Sequence, residues 1–203
     1  AIVAYTNALK IRDNHLPSLF KLAFAYFRTD HFEEAQQYVQ RVLEQAPDHI
    51  EAHDLLGVIY TVLGRYEDAL QEFAFIQQHA PDYAQLTTHK VTTLLNMQRV
   101  DEAITELRAA LETRREQADL YIQLGKAYSY KGQMKESEDA YQQAIRLAPD
   151  NVSAYTGLGN LYMVMERYNQ ALISLAPILP EHAENLDVIY VQGRAYAGQQ
   201  RFG

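Results

Sequence analysis

Five sets of residues recur along this chain with one step of 34, and that period constrains the fold more than any other feature. Ala35, Ala69, Ala103 and Ala171 share one ladder, with Ser137 on its remaining rung. Tyr26, Tyr60, Tyr128, Tyr162 and Tyr196 share a second, interrupted by Leu94. Phe32, Tyr66, Val100, Met134, Tyr168 and Phe202 make a third; Gly57, Gly125, Gly159 and Gly193 a fourth; Pro47, Pro81 and Pro149 a fifth. A fixed period of this length is the signature of a stacked repeat in which no single unit can bury its own apolar face.

Within a unit the spacing is helical. Leu22, Ala23 and Tyr26 fall at i, i+1 and i+4, as do Leu56, Gly57 and Tyr60, which places each set on one helix face. A short break such as Leu63-Gly64-Arg65 follows, and Tyr66, Ala69, Phe73 and Ile76 then mark a second apolar face. Each unit reads as two helices joined by a tight turn. Glu33-Glu34, Glu67-Asp68 and Asp101-Glu102 suit the positive end of the second helix. Pro47, Pro81 and Pro149 stand where that helix must stop. The ladder glycines of the first helix, opposite the alanine ladder of the second, are expected to let the two helices approach closely.

Together these residues resemble the tetratricopeptide repeat, with its L-G-x2-Y, A-x3-F and terminal P. Residues 50–83 carry the pattern best, in Leu56-Gly57-x2-Tyr60, Ala69-x3-Phe73 and Pro81. Residues 118–151 follow with Leu124-Gly125-x2-Tyr128, Tyr141, Ala144 and Pro149, residues 152–185 with Leu158-Gly159-x2-Tyr162 and Ala171, and residues 16–49 with Leu22-Ala23-x2-Tyr26, Ala35 and Pro47. The resemblance implies an all-α, right-handed superhelical solenoid of antiparallel helix pairs. The expected organisation is a single array over 1–203. It has a partial repeat 1–15, full repeats 16–49, 50–83, 84–117, 118–151 and 152–185, and a partial repeat 186–203. Repeat 84–117 is degenerate: Lys90 replaces Leu, Arg115 replaces Pro, and Thr87 replaces a large apolar residue. It is either a loosely packed unit whose Lys90 snorkels or a flex point or partner site. Pro177 and Pro180 predict that the second helix of 152–185 is kinked or cut short near Leu175. The chain begins and stops within a repeat and shows no polar cap at either end, so a fragment of a longer array is expected.

Charge and composition exclude several functions. The net charge of −8 comes with no visible basic stripe for phosphates, so no nucleic-acid partner is expected. No apolar run is long enough to span a bilayer, and residues 1–5 lack the features of a signal peptide. The absence of cysteine rules out disulfides, a thiol nucleophile and Cys-based zinc sites. It leaves the compartment open, being equally compatible with the cytoplasm and with a disulfide-free periplasmic protein, of which the cytoplasm is the slightly favoured expectation. No phosphate loop, H-E-x-x-H or G-x-S-x-G motif is present. Gly157-Leu158-Gly159 lacks a third glycine and a preceding strand, and repeat packing accounts for it better than a dinucleotide site. His49 and His53 are four apart, but His49 falls in an inter-unit turn, so one continuous helix does not present both to a metal. Arg65, Arg99, Arg167 and Arg201 form a further ladder at the tight turns, read as solvated charge partly paired with nearby acids or as an edge for an acidic partner. We expect no enzyme activity, cofactor or metal.

The resemblance also implies a partner-binding groove, because the first helices of such arrays line the concave face. Carried over by position, its residues are Phe20, Phe24, Phe27, Arg28, Leu55, Val58, Val62, His89, Thr92, Ile122, Lys126, Tyr130 and Asn160. Lys21, Asp54, Thr61, Thr156 and Met163 fall on the same inward set. Lys and Asn of the family's Lys/Asn/Arg clamp for a C-terminal carboxylate are absent from the matching positions, which hold Phe20, Phe24, Leu55, Gln85 and His89. The N-terminal half is instead apolar, as at an interaction site, and the expected ligand is a protein or an extended or helical peptide. The alternatives are a repeat arm of a larger enzyme, such as a glycosyltransferase or peptidase, and an array that self-associates through its open repeat ends.

Overall fold

Tight turns with a left-handed residue set the helix boundaries. The structure is a computed structural model that describes residues 1–202, with side chains described as far as Gln200. The described residues are all-helical. The chain divides into two compact units, Ala1–Met97 and Gln98–Gly203, and the division falls inside the degenerate repeat 84–117.

The first unit contains α1 (Ile2–Ile11), α2 (Leu16–Phe27), α3 (Phe32–Gln45), α4 (Ile50–Val62), α5 (Tyr66–His79) and α6 (Leu86–Asn96). Each helix packs on the next, and α4 also touches α2 and α6, so first helices of successive repeats lie side by side. Leu19, Leu22, Val39, Val42, Ile59, Phe73 and Ile76 are fully buried between them. Each such side chain stabilises the fold by roughly 1.5–3 kcal/mol relative to exposure.

The second unit contains α7 (Val100–Thr113), α8 (Ala118–Lys131), α9 (Met134–Leu147), α10 (Val152–Val164) and α11 (Tyr168–Leu175). A 3-10 turn (Ala176–Ile178), the short α12 (Leu179–His182) and α13 (Leu186–Phe202) follow. Pro177 lies in the 3-10 turn, where its missing N–H and ring would break an α-helical turn. Chain direction recovers in α13, which packs back on α10 and α11 through the buried Val188, Val191 and Ala195.

The ladders have direct packing causes. A Cβ on Gly57 would lie 2.5 Å from the Phe73 ring, and one on Gly125 2.9 Å from the Tyr141 ring. Gly157 faces that same Tyr141 ring from the other side, which accounts for the Gly157-Leu158-Gly159 sequence without a nucleotide. Gly193 departs from the expectation of close helix approach: nothing lies within 4 Å of its would-be Cβ. No second helix covers that rung among the described residues. Ser137, on the alanine ladder, is fully buried and donates its hydroxyl to the Gly125 carbonyl at 2.7 Å. A small polar residue fits there because its hydrogen bond is satisfied across the helix pair.

One further ladder emerges at the turns. Asp30, Gly64, Gln98, Gly132 and Glu166 stand 34 apart and all have φ between 58° and 77°. The residue after each of four of these turns donates its N–H back to a ladder tyrosine carbonyl. These bonds are His31 to Tyr26 (3.0 Å), Arg65 to Tyr60 (2.8 Å), Gln133 to Tyr128 (2.9 Å) and Arg167 to Tyr162 (2.8 Å). This 6→1 bond closes a helix through a left-handed residue. Two of the turn arginines are tied in place as well. Arg65 donates to Asp68 at 2.7 Å and covers the Tyr60 ring at 4.2 Å, and Arg99 donates through Nε to Glu102 at 2.6 Å. The side chain of Arg201 lies outside the described residues.

Candidate functional site

The first unit carries an open groove of about 980 Å³. Its walls are α1, α2 and α4, with contributions from the α5–α6 loop and from α6. Phe20, Phe24 and Phe27 enter from α2, Arg28 from its C-cap, Leu55 and Val58 from α4, and His89 from α6. They converge because residues three or four apart on a helix share a face. Phe24 is the most open of the aromatic residues, 46% exposed, whereas Leu55 forms a floor that is only 6% exposed. Phe20 is steadied by the His49 ring, centroids 5.0 Å apart, and Phe27 by an edge contact with Phe32 at 5.8 Å.

At one end the groove has a built polar cluster. Asp54 is buried, and its two oxygens accept from separate donors: Oδ1 from His89 Nδ1 at 2.6 Å and Oδ2 from the Tyr83 hydroxyl at 3.2 Å. Burial, then the Asp54 and Glu51 carboxylates, hold the Tyr83 hydroxyl above the ordinary phenol range. The cluster therefore keeps Tyr83 neutral and a donor. Lys21 and Arg28, also in the lining, make no ion pair among the described residues. In a chain of net charge −8, Lys21 and Arg28 bring cationic charge to the groove, while Glu51, 3.2 Å from His49 Nδ1, brings a carboxylate.

The remaining carried-over residues lie elsewhere. Val62 is 51% exposed on α4 beyond the groove lining, and Thr92 is exposed on α6 with its hydroxyl bonded to the Thr88 carbonyl at 2.8 Å. In the second unit, α8 carries Ile122, Lys126 and Tyr130, and the Lys126 ammonium lies 5.9 Å from the Tyr130 ring centroid. Asn160 is exposed on α10. Thr61, Thr156 and Met163 are buried. Thr61 lies in the seam between α4 and α6, its hydroxyl 2.7 Å from that of Thr93.

Periodicity did not point to Ala1, Ile2, Val3 and Tyr5 of α1, nor to Thr29, Glu51 and Tyr83, all of which line the groove. The clearest available signal is Asp54, an acid directly beside Leu55 and Leu56: once buried it requires donors, and Tyr83 and His89 are the ones that reach it. No cluster of three or more metal-ligating side chains occurs among the described residues. His49 caps α4, accepting from the Ala52 N–H at 3.3 Å. His53 instead faces Glu72 at 2.6 Å and the Pro47 carbonyl at 2.8 Å. No helix among the described residues is long and apolar enough to cross a membrane.

Comparison with known proteins agrees with this architecture. The family description "Tetratricopeptide repeat" matches residues 1–59 and 63–127, and "TPR repeat" matches residues 125–166. Human protein O-mannosyl-transferase TMTC3 is 22% identical over 183 residues, which cover 83% of this chain and 20% of the relative. The chain thus spans about a fifth of that relative's length. Among solved structures, TTC0263, a thermophilic TPR protein of Thermus thermophilus, superposes with a TM-score of 0.76 at 21% identity. The match covers 90% of this chain and 99% of that one. YrrB, a TPR protein with an unusual peptide-binding site, gives a TM-score of 0.59 at 18% identity over 95% of this chain and 100% of that one.

Proposed function

Because the chain belongs to the tetratricopeptide repeat family, we propose that it is a non-catalytic interaction scaffold that takes a segment of a protein or peptide in the groove of its first unit. The observation that carries the reading is the groove itself, an open apolar trough with Phe24 and Val58 at its surface and a satisfied polar cluster at one end. Contiguous apolar surface of this kind marks binding sites in soluble proteins. Lys21 and Arg28 favour a ligand with acidic residues beside its apolar anchors, since complementary charge steers association and fixes register. The peptide-binding site named for YrrB supports this use of the fold.

The test is selection of peptides on the purified chain, followed by affinity measurement against the Phe24→Asp, Val58→Asp double variant. Loss of affinity by at least tenfold with unchanged circular dichroism is the expected result. Undiminished affinity in a folded double variant would remove the groove from the reading. Lys21→Glu with Arg28→Glu should weaken acidic ligands and leave neutral ones nearly unaffected.

A second reading rests on the TMTC3 similarity: the chain serves as the repeat arm of a longer enzyme. Reading the complete open reading frame decides this directly. A catalytic domain joined to these repeats supports it, and a frame containing only repeats removes it.

A further inference from the structure

One rung of the repeat is filled differently in the two units. Tyr141 of α9 stands on the rung of Phe73 of α5, and Gly157 of α10 stands on the rung of His89 of α6. Phe73 is fully buried, and the His89 ring, 6.3 Å from it, continues outward into the lining of the groove. In the second unit glycine leaves that position without a side chain. A Cβ on Gly157 would lie 2.9 Å from Tyr141 Cζ, the carbon that bears the hydroxyl. The Tyr141 ring therefore takes the space of the missing side chain, and its hydroxyl is delivered between α8 and α10.

That hydroxyl is the one of its kind without a partner. The buried tyrosines of the second unit are Tyr128, Tyr141, Tyr155 and Tyr162. Tyr128 accepts from Arg108 at 3.0 Å, Tyr155 donates to the Pro149 carbonyl at 3.0 Å, and Tyr162 donates to Glu138 at 2.8 Å. Tyr141 is 5% exposed, yet its hydroxyl bonds to none of the described residues. No buried side-chain oxygen is left unsatisfied among them, so this one meets solvent. Burial and then the nearby Tyr130 hold it up at about 12, which keeps it a donor at neutral pH.

The charge beside it is positive. Lys126 follows Gly125 on α8, is exposed, and makes no ion pair among the described residues; its ammonium lies 5.9 Å from the Tyr130 ring centroid. The other charged side chains of α8 do not neutralise it. Lys131 pairs with Asp101 at 2.7 Å, and Asp119 stands two turns away, roughly 10 Å along the axis. The α10 helix has no charged residue, and its exposed Asn160 shares a face with Gly157. One cation with neutral donors suits a carboxylate. A phosphoryl group draws on arginine clusters, and neither α8 nor α10 carries an arginine.

We propose that the second unit has its own binding site between α8 and α10, which takes an acidic side chain of an extended protein segment, with Lys126 as the charge partner and the Tyr141 hydroxyl as the donor to its carboxylate. The ring is already locked against two glycines, so this donor is preorganised and costs no ordering on binding. The site lies wholly in the second unit and stands or falls apart from the first-unit groove.

The test is an amide-resolved NMR titration of the isotope-labelled chain with acetyl-Gly-Ala-Glu-Ala-Gly-amide. Gly125, Gly157 and Asn160 report this site, and Phe24 and Val58 report the first-unit groove separately. Saturable shifts at Gly125, Gly157 and Asn160 are expected, and the matched peptide with Gln in place of Glu should give none. Tyr141→Phe keeps the packed ring and should weaken the Glu peptide about tenfold at these signals. Lys126→Gln, at an exposed position, should cause a similar loss without touching the core. Absence of saturable shifts there, equal binding of the Gln peptide, or unchanged affinity in both variants would each overturn the proposal. Inorganic phosphate moving the same signals at lower concentration than the Glu peptide would overturn it as well.

Discussion

Asp54 of α4 and His89 of α6 are joined by a 2.6 Å hydrogen bond across 35 positions of sequence. The bond ties the first helices of successive repeats at the end of the groove, and Tyr83 closes the other carboxylate oxygen. Hydrogen bonds to a buried charge contribute more than neutral ones. Asp54→Ala would leave both donors without their acceptor, and its expected cost is about 2–3 kcal/mol. Urea unfolding at neutral pH measures it. Asp54→Asn keeps one carbonyl acceptor and should cost less than the alanine variant.

The buried tyrosines make the second unit sensitive to alkali. Burial pushes the hydroxyls of Tyr141 and Tyr162 up to about 12 from the ordinary 10, and Glu138, which accepts from Tyr162 at 2.8 Å, adds to the shift there. The unfolded chain gives up these protons from about pH 10, whereas the folded chain holds them to about 12. Their contribution is therefore complete below pH 10 and is lost between pH 10 and 12, because folding then requires proton uptake. Tyr141→Phe keeps the ring between Gly125 and Gly157 and removes one titrating group. Its unfolding midpoint should lie above that of the wild-type chain when the two are compared near pH 11, with little difference at pH 7.

Much of this was legible beforehand, for identifiable reasons. The two helices of each pair could be placed because apolar positions such as Leu22 and Tyr26, and Ala69 and Phe73, report a helical face directly. The apolar groove half came from the family resemblance, carried over by position, and Phe20, Phe24 and Val58 do line the groove. Thr61, Thr156 and Met163, which the resemblance places inward, are buried. The groove edge and the helix–helix seam differ by about one position, or 100°, around a helix, and periodicity alone does not separate them. Tyr83 lies in a loop, where side-chain direction follows no period. The left-handed turn residues are not legible in the sequence, because Asp30, Gln98 and Glu166 do not announce a positive φ as glycine does.

Glycines on one ladder should respond to alanine with opposite signs. At Gly125, the added methyl would meet the Tyr141 ring at 2.9 Å, and overpacking of this kind costs roughly 1–3 kcal/mol. Helix propensity returns about 1 kcal/mol of that, leaving a net loss. At Gly193 nothing lies within 4 Å, so Gly193→Ala should stabilise the chain by up to about 1 kcal/mol through propensity alone. Parallel urea titrations of the two variants distinguish the cases, and equal effects would show that the Tyr141 ring can yield.

The turn ladder gives a stabilising substitution that no contact would suggest. Glu166 holds φ at 58°, a conformation that crowds the Cβ of any residue but glycine. At the same rung, Gly64 and Gly132 adopt φ of 74° and 77°. The Arg167 N–H bond to the Tyr162 carbonyl, 2.8 Å, needs only the backbone and is kept by any residue that tolerates the turn. Glu166→Gly removes the strain and adds some freedom to the unfolded chain; these effects oppose each other. Strain relief is the larger, about 1–2 kcal/mol against roughly 0.5–1, so a net gain of about 0.5–1 kcal/mol is expected. Gly132→Ala at the equivalent turn should shift the unfolding midpoint the other way. Thermal and urea unfolding of both variants measure the pair, and a loss of stability in Glu166→Gly would mean that its side chain contributes more to the folded state than its backbone strain costs.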